Sequence, residues 1–151
     1  MYLDDAYLFQ GMREETRKKI LEAAAEESHG QRDFLFHQGD PARNLYILME
    51  GRVRMSVGPK ELLAYVASDP GDVIGWSGLM ENNTYTASAE CLGPVKLSKI
   101  ANSQLDQILR EDPISGMIFF KQLAAVIGRR LVKCYTAALS IQGEREPRSY
   151  G

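Results

Sequence analysis

The sequence predicts a mainly β domain with flanking helices. An antiparallel β-roll, of the double-stranded β-helix or jelly-roll type, lies between an N-terminal helix and a long C-terminal helix. Residues 34–100 break into short apolar runs separated by Gly, Pro, Asn and Asp, which is typical of a sandwich or barrel. The flanking segments instead carry longer runs of strong helix formers. We expect one domain over residues 1–142, with the roll at about 32–100, the C-terminal helices at about 102–142 and a polar tail at 143–151.

The N-terminal helix is predicted over Met12–Ser28. This run is rich in Glu, Lys, Arg and Ala, and Gly30 stands where a left-handed C-terminal cap is expected. Ile20, Leu21 and Ala24 give the helix one apolar stripe, with charges elsewhere.

The strands of the roll are recognised by alternation of apolar and polar side chains. In residues 52–57, Val53, Met55 and Val57 alternate with polar neighbours, which predicts a strand with one buried face. About eight short strands are expected in all. Six others are located at residues 34–36, 45–49, 62–66, 73–74, 86–91 and 95–98.

Two helices are predicted after the roll. Asn102 or Ser103 can cap a short one, and Asp112 followed by Pro113 is the N-cap and first position of a long one. The long helix is expected to run to about Gln142, where Gly143 would stop it.

The long helix carries a heptad stripe that predicts a homodimer. Its apolar residues recur at alternating steps of four and three. The alternative is a helix that packs only on its own domain, as the upstream Ile114, Ile118 and Leu123 are expected to do. Cys134 on the stripe is interpreted as a small buried hydrophobe. The predicted dimer interface is Phe120, Ala124, Ile127, Leu131, Cys134, Ala138 and Ile141.

A glycine-rich cassette marks the candidate ligand site. It comprises residues 71–79 and 84–89, and it is predicted to form a strand, a tight turn, one helical turn, a loop and another strand. Paired glycines around a small hydroxyl residue expose backbone N–H groups that can hold an anion.

Composition and motifs exclude several classes of function. The net charge of −2 and the pI of about 5.7 argue against binding nucleic acid or an anionic membrane. His29 and His37 have no metal-ligand spacing, and residues 75–79 depart from the G-x-S-x-G nucleophile motif at Leu79. The chain has neither a signal-peptide pattern nor a membrane-spanning run. We therefore expect a cytoplasmic protein that is not an enzyme and holds no metal.

These segments, in this order, resemble the cyclic nucleotide-binding domain of the catabolite-activator and related bacterial regulators, over about Leu8 to Ile141. The motifs that carry the resemblance are Phe36–Ala42, Leu45–Leu48, Gly51–Val53, the cassette and Gly128–Leu131. It implies a ligand-sensing roll whose long helix signals. DNA-binding members append a helix-turn-helix after that helix, where this chain ends, so a stand-alone sensor without direct nucleic-acid binding is expected.

The cassette departs from the family at two positions. A Glu that takes the ribose 2′-hydroxyl and an Arg that pairs with the cyclic phosphate align with Trp76 and Tyr85. Losing the charge-assisted pair alone removes roughly 1.5–3 kcal/mol, about one to two decades of affinity. Cyclic AMP in the usual mode is therefore not expected. The ligand-binding residues that the resemblance implies are Gly75, Trp76, Ser77, Gly78, Leu79, Tyr85, Thr86 and Ala87, with Cys134 and Tyr135 on the long helix.

Two alternatives remain open at this site. Trp76 and Tyr85 line a repurposed pocket in which Tyr85 donates its hydroxyl, or both rings simply fill the former site. Likewise, Arg129 and Arg130 either approach a ligand anion or form a solvated face. The functional prediction is a regulator that binds a small effector, such as a cyclic nucleotide or related small anion, and acts on a partner protein. The rival is a ligand-free interaction scaffold.

Overall fold

The computed structural model describes residues 2–81 and 83–145, and of residues 142–145 only the backbone. The short 3-10 turns Leu3–Asp5 and Tyr7–Phe9 precede the first helix. The elements that follow are α1 (Glu14–Ala23), β1 (Ala25–His29), β2 (Phe34–Phe36), β3 (Asn44–Glu50), β4 (Val53–Val57), β5 (Leu62–Ala67), β6 (Val73–Ile74), a 3-10 turn (Trp76–Leu79), β7 (Ser88–Cys91), β8 (Val95–Ala101), α2 (Asn102–Glu111) and α3 (Pro113–Arg145).

The strands form two four-stranded antiparallel sheets, which confirms the predicted β-roll. One sheet has the order β1-β8-β3-β6 and the other has the order β2-β7-β4-β5. The first sheet lies between the second sheet and the helices, and its strands β3, β6 and β8 bury side chains on both faces, whereas the edge strand β1 has no buried residue.

Strand β3 shows how the sequence achieves this. Leu45 and Ile47 belong to the core shared with the helices, whereas Tyr46 and Leu48 belong to the core between the sheets. Because successive side chains of a strand point to opposite faces, an uninterrupted apolar run serves both cores.

The N-terminal helix is shorter than the predicted Met12–Ser28. It ends at Ala23, and Ala25–His29 forms strand β1, which pairs with β8. Ion pairs join Glu26 to Lys96 and Glu27 to Lys99 across the two strands. The acidic run that favours helix locally therefore finds its charge partners on the sheet, and the sheet extends to residue 25.

The start of α3 is as predicted. The Asp112 carboxylate accepts a hydrogen bond from the Ser115 N–H at 3.4 Å and one from the Thr16 hydroxyl at 2.6 Å. Bonds from Ser115 and Thr16 hold the pKa of Asp112 at about 2. This one side chain caps α3 and ties it to α1.

Two details at the helix ends differ from expectation. Asn102 does not cap α2 with its side chain, whose amide instead donates to the Ala42 carbonyl at 3.0 Å. Helix α3 continues past Gly143 to Arg145, and the rest of the predicted tail, 146–151, falls outside the described part of the chain. No helix within the described residues is long and apolar enough to span a membrane.

Candidate ligand-binding site

A cavity of about 220 Å³ lies between the cassette, the β4–β5 hairpin and α3. It is mainly apolar, and of the described residues that line it, Arg130 carries the only charge. The lining comprises Phe36, Met55, Val57, Ala64, Gly75, Trp76, Ser77, Tyr85, Thr86, Ala87 and Arg130. Six of the ten predicted ligand-binding residues therefore come together here, and Arg130 joins them from the helix.

Gly75 turns the chain into the cavity wall. Its φ of 82° is left-handed, a conformation that favours glycine. A Cβ there would meet the Asn44 carbonyl oxygen and the Tyr85 ring, both at 3.1 Å. The glycine thus lets the cassette pass close against β3 before the turn Trp76–Leu79 begins.

Tyr85 lines the cavity with its ring but not with its hydroxyl. The hydroxyl donates to the Asn44 carbonyl at 2.8 Å and accepts from the Asn44 N–H at 3.1 Å. The ring stacks on Phe36, with centroids 3.6 Å apart. Burial raises the pKa of Tyr85, so the hydroxyl stays protonated and keeps this bond. In this arrangement the hydroxyl is not available to a ligand.

Trp76 also lines the cavity and contacts a cation. The Arg130 guanidinium lies 4.6 Å from the Trp76 ring centroid and 4.3 Å from that of Tyr65. Trp76 is half-buried and also packs on the helical core. Its ring therefore joins the cassette to α3.

Neighbouring arginines of α3 have different environments. Arg130 is partly buried, and burial lowers its pKa, although a guanidinium remains charged in proteins. Arg129 instead lies over Tyr7, at 4.8 Å, outside the cavity. The sequence pattern alone does not decide whether Arg130 faces a ligand or the solvent. Its spacing of four and seven residues from the inward-packed Val126 and Leu123 is the signal that could have assigned it to the inner face.

Two hydroxyl groups give the cavity a polar side. Ser77 is buried, and its Oγ lies 3.5 Å from the Oγ1 of Thr86. Together with Arg130 they can hold an anionic or hydroxyl-bearing group against an otherwise apolar wall.

The remaining predicted ligand residues lie outside the cavity lining. Gly78 packs under Asn102, and Leu79 packs on the helical core. The Cys134 thiol lies 3.7 Å from the Ala64 carbonyl, at the cavity edge, while Tyr135 is 60% exposed. The reason is the position of α3, which crosses the cavity at Arg130, one turn before Cys134.

The predicted dimer stripe is divided between two faces of α3. Ile127 packs on the domain's own helical core, and Cys134 faces Ala64, so neither is presented outward. An outward seam of exposed apolar residues recurs every seven positions at Met117, Ala124, Leu131 and Ala138, with Tyr135 one turn after Leu131. Of the predicted stripe, the exposed members are Phe120, Ala124, Leu131, Ala138 and Ile141.

The titratable side chains of the described residues are expected to hold no metal. Within the described residues, no group of three or more His, Cys, Asp or Glu side chains could hold a metal ion. His29 pairs with Glu27, and His37 lies beside Asp40.

Proteins similar to this chain include a kinase regulatory subunit and a bacterial activator protein. A cAMP-dependent protein kinase regulatory subunit from Hypocrea atroviridis is 23% identical over 117 residues, which are 78% of this chain and 24% of that protein. This chain thus spans about a quarter of that relative's length. The catabolite activator protein of Thermus thermophilus is 22% identical with a TM-score of 0.69, covering 91% of this chain and 63% of that one, and shows the shared fold.

Two solved structures match nearly end to end. A protein of Geobacter metallireducens assigned as a cyclic nucleotide-binding protein is 26% identical with a TM-score of 0.77, covering 85% of this chain and 95% of that one. The N-terminal domain of a transcriptional regulator from Streptomyces coelicolor is 28% identical with a TM-score of 0.67, covering 87% and 92%.

A family model decides the assignment. The model of the cyclic nucleotide-binding domain matches residues 26–112, which span β1 to the start of α3 and include the whole cassette. That match takes in more than half of the chain and agrees with the fold, the site and the relatives. The chain therefore belongs to the cyclic nucleotide-binding domain family.

Proposed function

We propose that this chain is a non-catalytic, cytoplasmic regulatory domain that binds a small effector in the 220 Å³ cavity and transmits its occupancy to α3. The observation that carries the proposal is Arg130. This helix residue forms part of the cavity wall and contacts the cassette through Trp76. A ligand that binds Arg130 or Trp76 would change that contact.

Packing along α3 supports the coupling. Upstream of Arg130, Phe119 and Leu123 are buried in the helical core. Downstream, Leu131 and Tyr135 are largely exposed. Arg130 thus lies at the boundary between an anchored half and a half with few contacts to its own domain. A ligand that favours one position of Arg130 will bias the downstream half between two arrangements.

Self-association of α3 would respond to a change in the arrangement of its downstream half. Exposed apolar side chains at heptad spacing are self-complementary across a two-fold axis. We propose that a second copy covers the outward seam of Met117, Ala124, Leu131, Tyr135 and Ala138, and that ligand alters the geometry of this homodimer and its contact with a partner protein.

The effector is not expected to be cyclic AMP bound in the usual way. No carboxylate of the described residues lines the cavity to take a ribose hydroxyl. The volume of about 220 Å³ is also below the roughly 300–1,000 Å³ of common small-molecule sites.

A thermal-shift panel tests the sensor proposal. Cyclic mononucleotides, cyclic dinucleotides, mononucleotides and small organic acids are each added to the full chain. A ligand at 100 times its Kd should add about 2.7 kcal/mol to the free energy of unfolding. An absence of any shift across the panel would contradict the sensor and favour the ligand-free scaffold.

A further inference from the structure

We infer that the cavity takes a small organic anion with a mainly apolar body, and that Arg130 from α3 binds its charge in place of the arginine that the cassette lacks. This inference rests on the proposed function and names the chemistry of the effector at that same site.

The first argument is charge. Arg130 is partly buried, and no carboxylate of the described residues lies within 4.0 Å of its guanidinium. Buried cations in proteins are normally paired. Here the contacts are the Tyr65 and Trp76 rings, which attract a cation but do not neutralise it. A cavity whose only charge is an unneutralised guanidinium favours an anion.

Neighbouring acids do not supply that anion. Asp72 and Asp5 line a neighbouring groove, and Arg130 borders this groove as well as the cavity, but neither carboxylate is paired with it. The Asp72 carboxylate accepts the backbone N–H groups of Ser68 and Asp69, both at 3.1 Å, and so is held in its own loop. Its charge favours the cationic form of Arg130 from a distance.

The second argument is the chemistry of the other side chains that line the cavity. Phe36, Met55, Val57, Ala64 and Ala87 present apolar surface, and the Tyr85 hydroxyl is already bonded to Asn44. Apart from Arg130 and the Tyr85 hydroxyl, the side-chain hydrogen-bonding groups of the described lining are the hydroxyls of Ser77 and Thr86 and the indole N–H of Trp76. A body rich in hydroxyl groups would leave many of them unpaired. The wall therefore selects an aromatic or short aliphatic body.

Binding can be followed at the site itself, because Trp76 is the single tryptophan of the chain. The probes are phenylacetate, phenyl phosphate, the neutral 2-phenylacetamide and cyclic AMP, each titrated against the intact protein while Trp76 fluorescence is recorded. Phenylacetate and phenyl phosphate separate a carboxylate from a phosphate preference. We expect saturable changes with at least one acid and at least about 10-fold weaker binding of the amide.

Two adjacent arginines provide a matched control. Arg130→Gln should weaken binding of the acid by about 10- to 100-fold, because a charge-assisted bond is lost. Arg130→Lys, which keeps the charge without the planar fork, should lose less. Arg129→Gln should stay within about twofold of the parent, since Arg129 lies over Tyr7 outside the cavity. Thermal unfolding confirms that each variant is folded.

Each outcome supports or overturns the inference. Equal binding of acid and amide, or unchanged binding of the acid by Arg130→Gln, overturns it. Binding of cyclic AMP or the amide without the acids overturns it while leaving the sensor proposal standing. If no probe changes the Trp76 fluorescence and no compound of the wider panel changes the melting temperature, the inference and the sensor proposal are both overturned. If Arg130→Gln fails to fold, Arg130→Lys and the acid-against-amide comparison on the parent chain decide between the same outcomes.

Discussion

Tyr85→Phe separates a structural from a ligand-binding hydroxyl. The substitution removes one oxygen, which donates to the Asn44 carbonyl at 2.8 Å and accepts from the Asn44 N–H at 3.1 Å. The ring can keep its stack on Phe36, so no large cavity is added. Two bonds at about 0.5–1.5 kcal/mol each give an expected loss of about 1–3 kcal/mol in the free energy of unfolding.

Equilibrium urea unfolding, followed by circular dichroism and Trp76 fluorescence, measures this loss. For a domain of this length each kcal/mol lowers Tm by about 2–4 °C, so the melting temperature provides a second reading. Protein concentration is held fixed, because dimerisation would contribute to stability. Tyr2→Phe is the control, since Tyr2 is 81% exposed and lies outside the proposed dimer seam, and it should change stability by less than about 0.5 kcal/mol.

A Tyr85→Phe protein as stable as the parent would refute the reasoning. The hydroxyl would then contribute nothing at Asn44, and its role as a donor to the effector would regain support. A destabilised variant that binds effector normally is the result we expect.

Three further changes probe other parts of the fold. Gly78→Ala should lower the free energy of unfolding by about 1–3 kcal/mol, because the new Cβ would overlap the Asn102 side-chain nitrogen. Gly128→Ala is the control, since a Cβ there has no neighbouring atom within 4 Å, and it should be neutral or stabilising. Chemical denaturation compares the two variants. The folded pKa of Asp112 is about 2, against an ordinary 3.8, so its stabilising effect is present above about pH 4 and is lost as the pH falls towards 2. The difference in Tm between the parent and Asp112→Asn should therefore shrink over that range. A constant difference would contradict the capping role of Asp112. Leu131→Glu, at the 48% exposed centre of the outward seam, should weaken self-association by about 10-fold or more in sedimentation equilibrium, and an unchanged mass distribution would remove that seam from the interface.

The fold could be predicted wherever the pattern is local. The alternation within residues 52–57 and the Asp112-Pro113 pair each fix a strand or a helix start from a few neighbouring residues. Strand β1 could not be found this way. Its Glu-rich residues favour helix locally, and the Lys96 and Lys99 partners that place them on the sheet are some seventy residues away.

The site likewise has features that local sequence predicts and features that it does not. The glycine pattern located the cassette, because the left-handed turn at Gly75 is a local requirement. The partner of the Tyr85 hydroxyl is a backbone group 41 residues away, which leaves no trace in the side-chain sequence. Helical spacing can place Arg130 on the inner face of α3, but its contact with the cassette depends on where α3 crosses the roll, and that crossing is set by tertiary packing.

Hydrogen exchange of α3 tests most directly whether cavity occupancy reaches the helix. The intact protein is compared with and without the tightest-binding acid of the panel, held at about 100 times its Kd so that occupancy is nearly complete. We predict that exchange of the backbone amides in residues 131–141 changes on binding, while exchange in β3 stays the same. Saturation reported by Trp76 with unchanged exchange in residues 131–141 would contradict the account, because the ligand would then occupy the cavity without acting on α3.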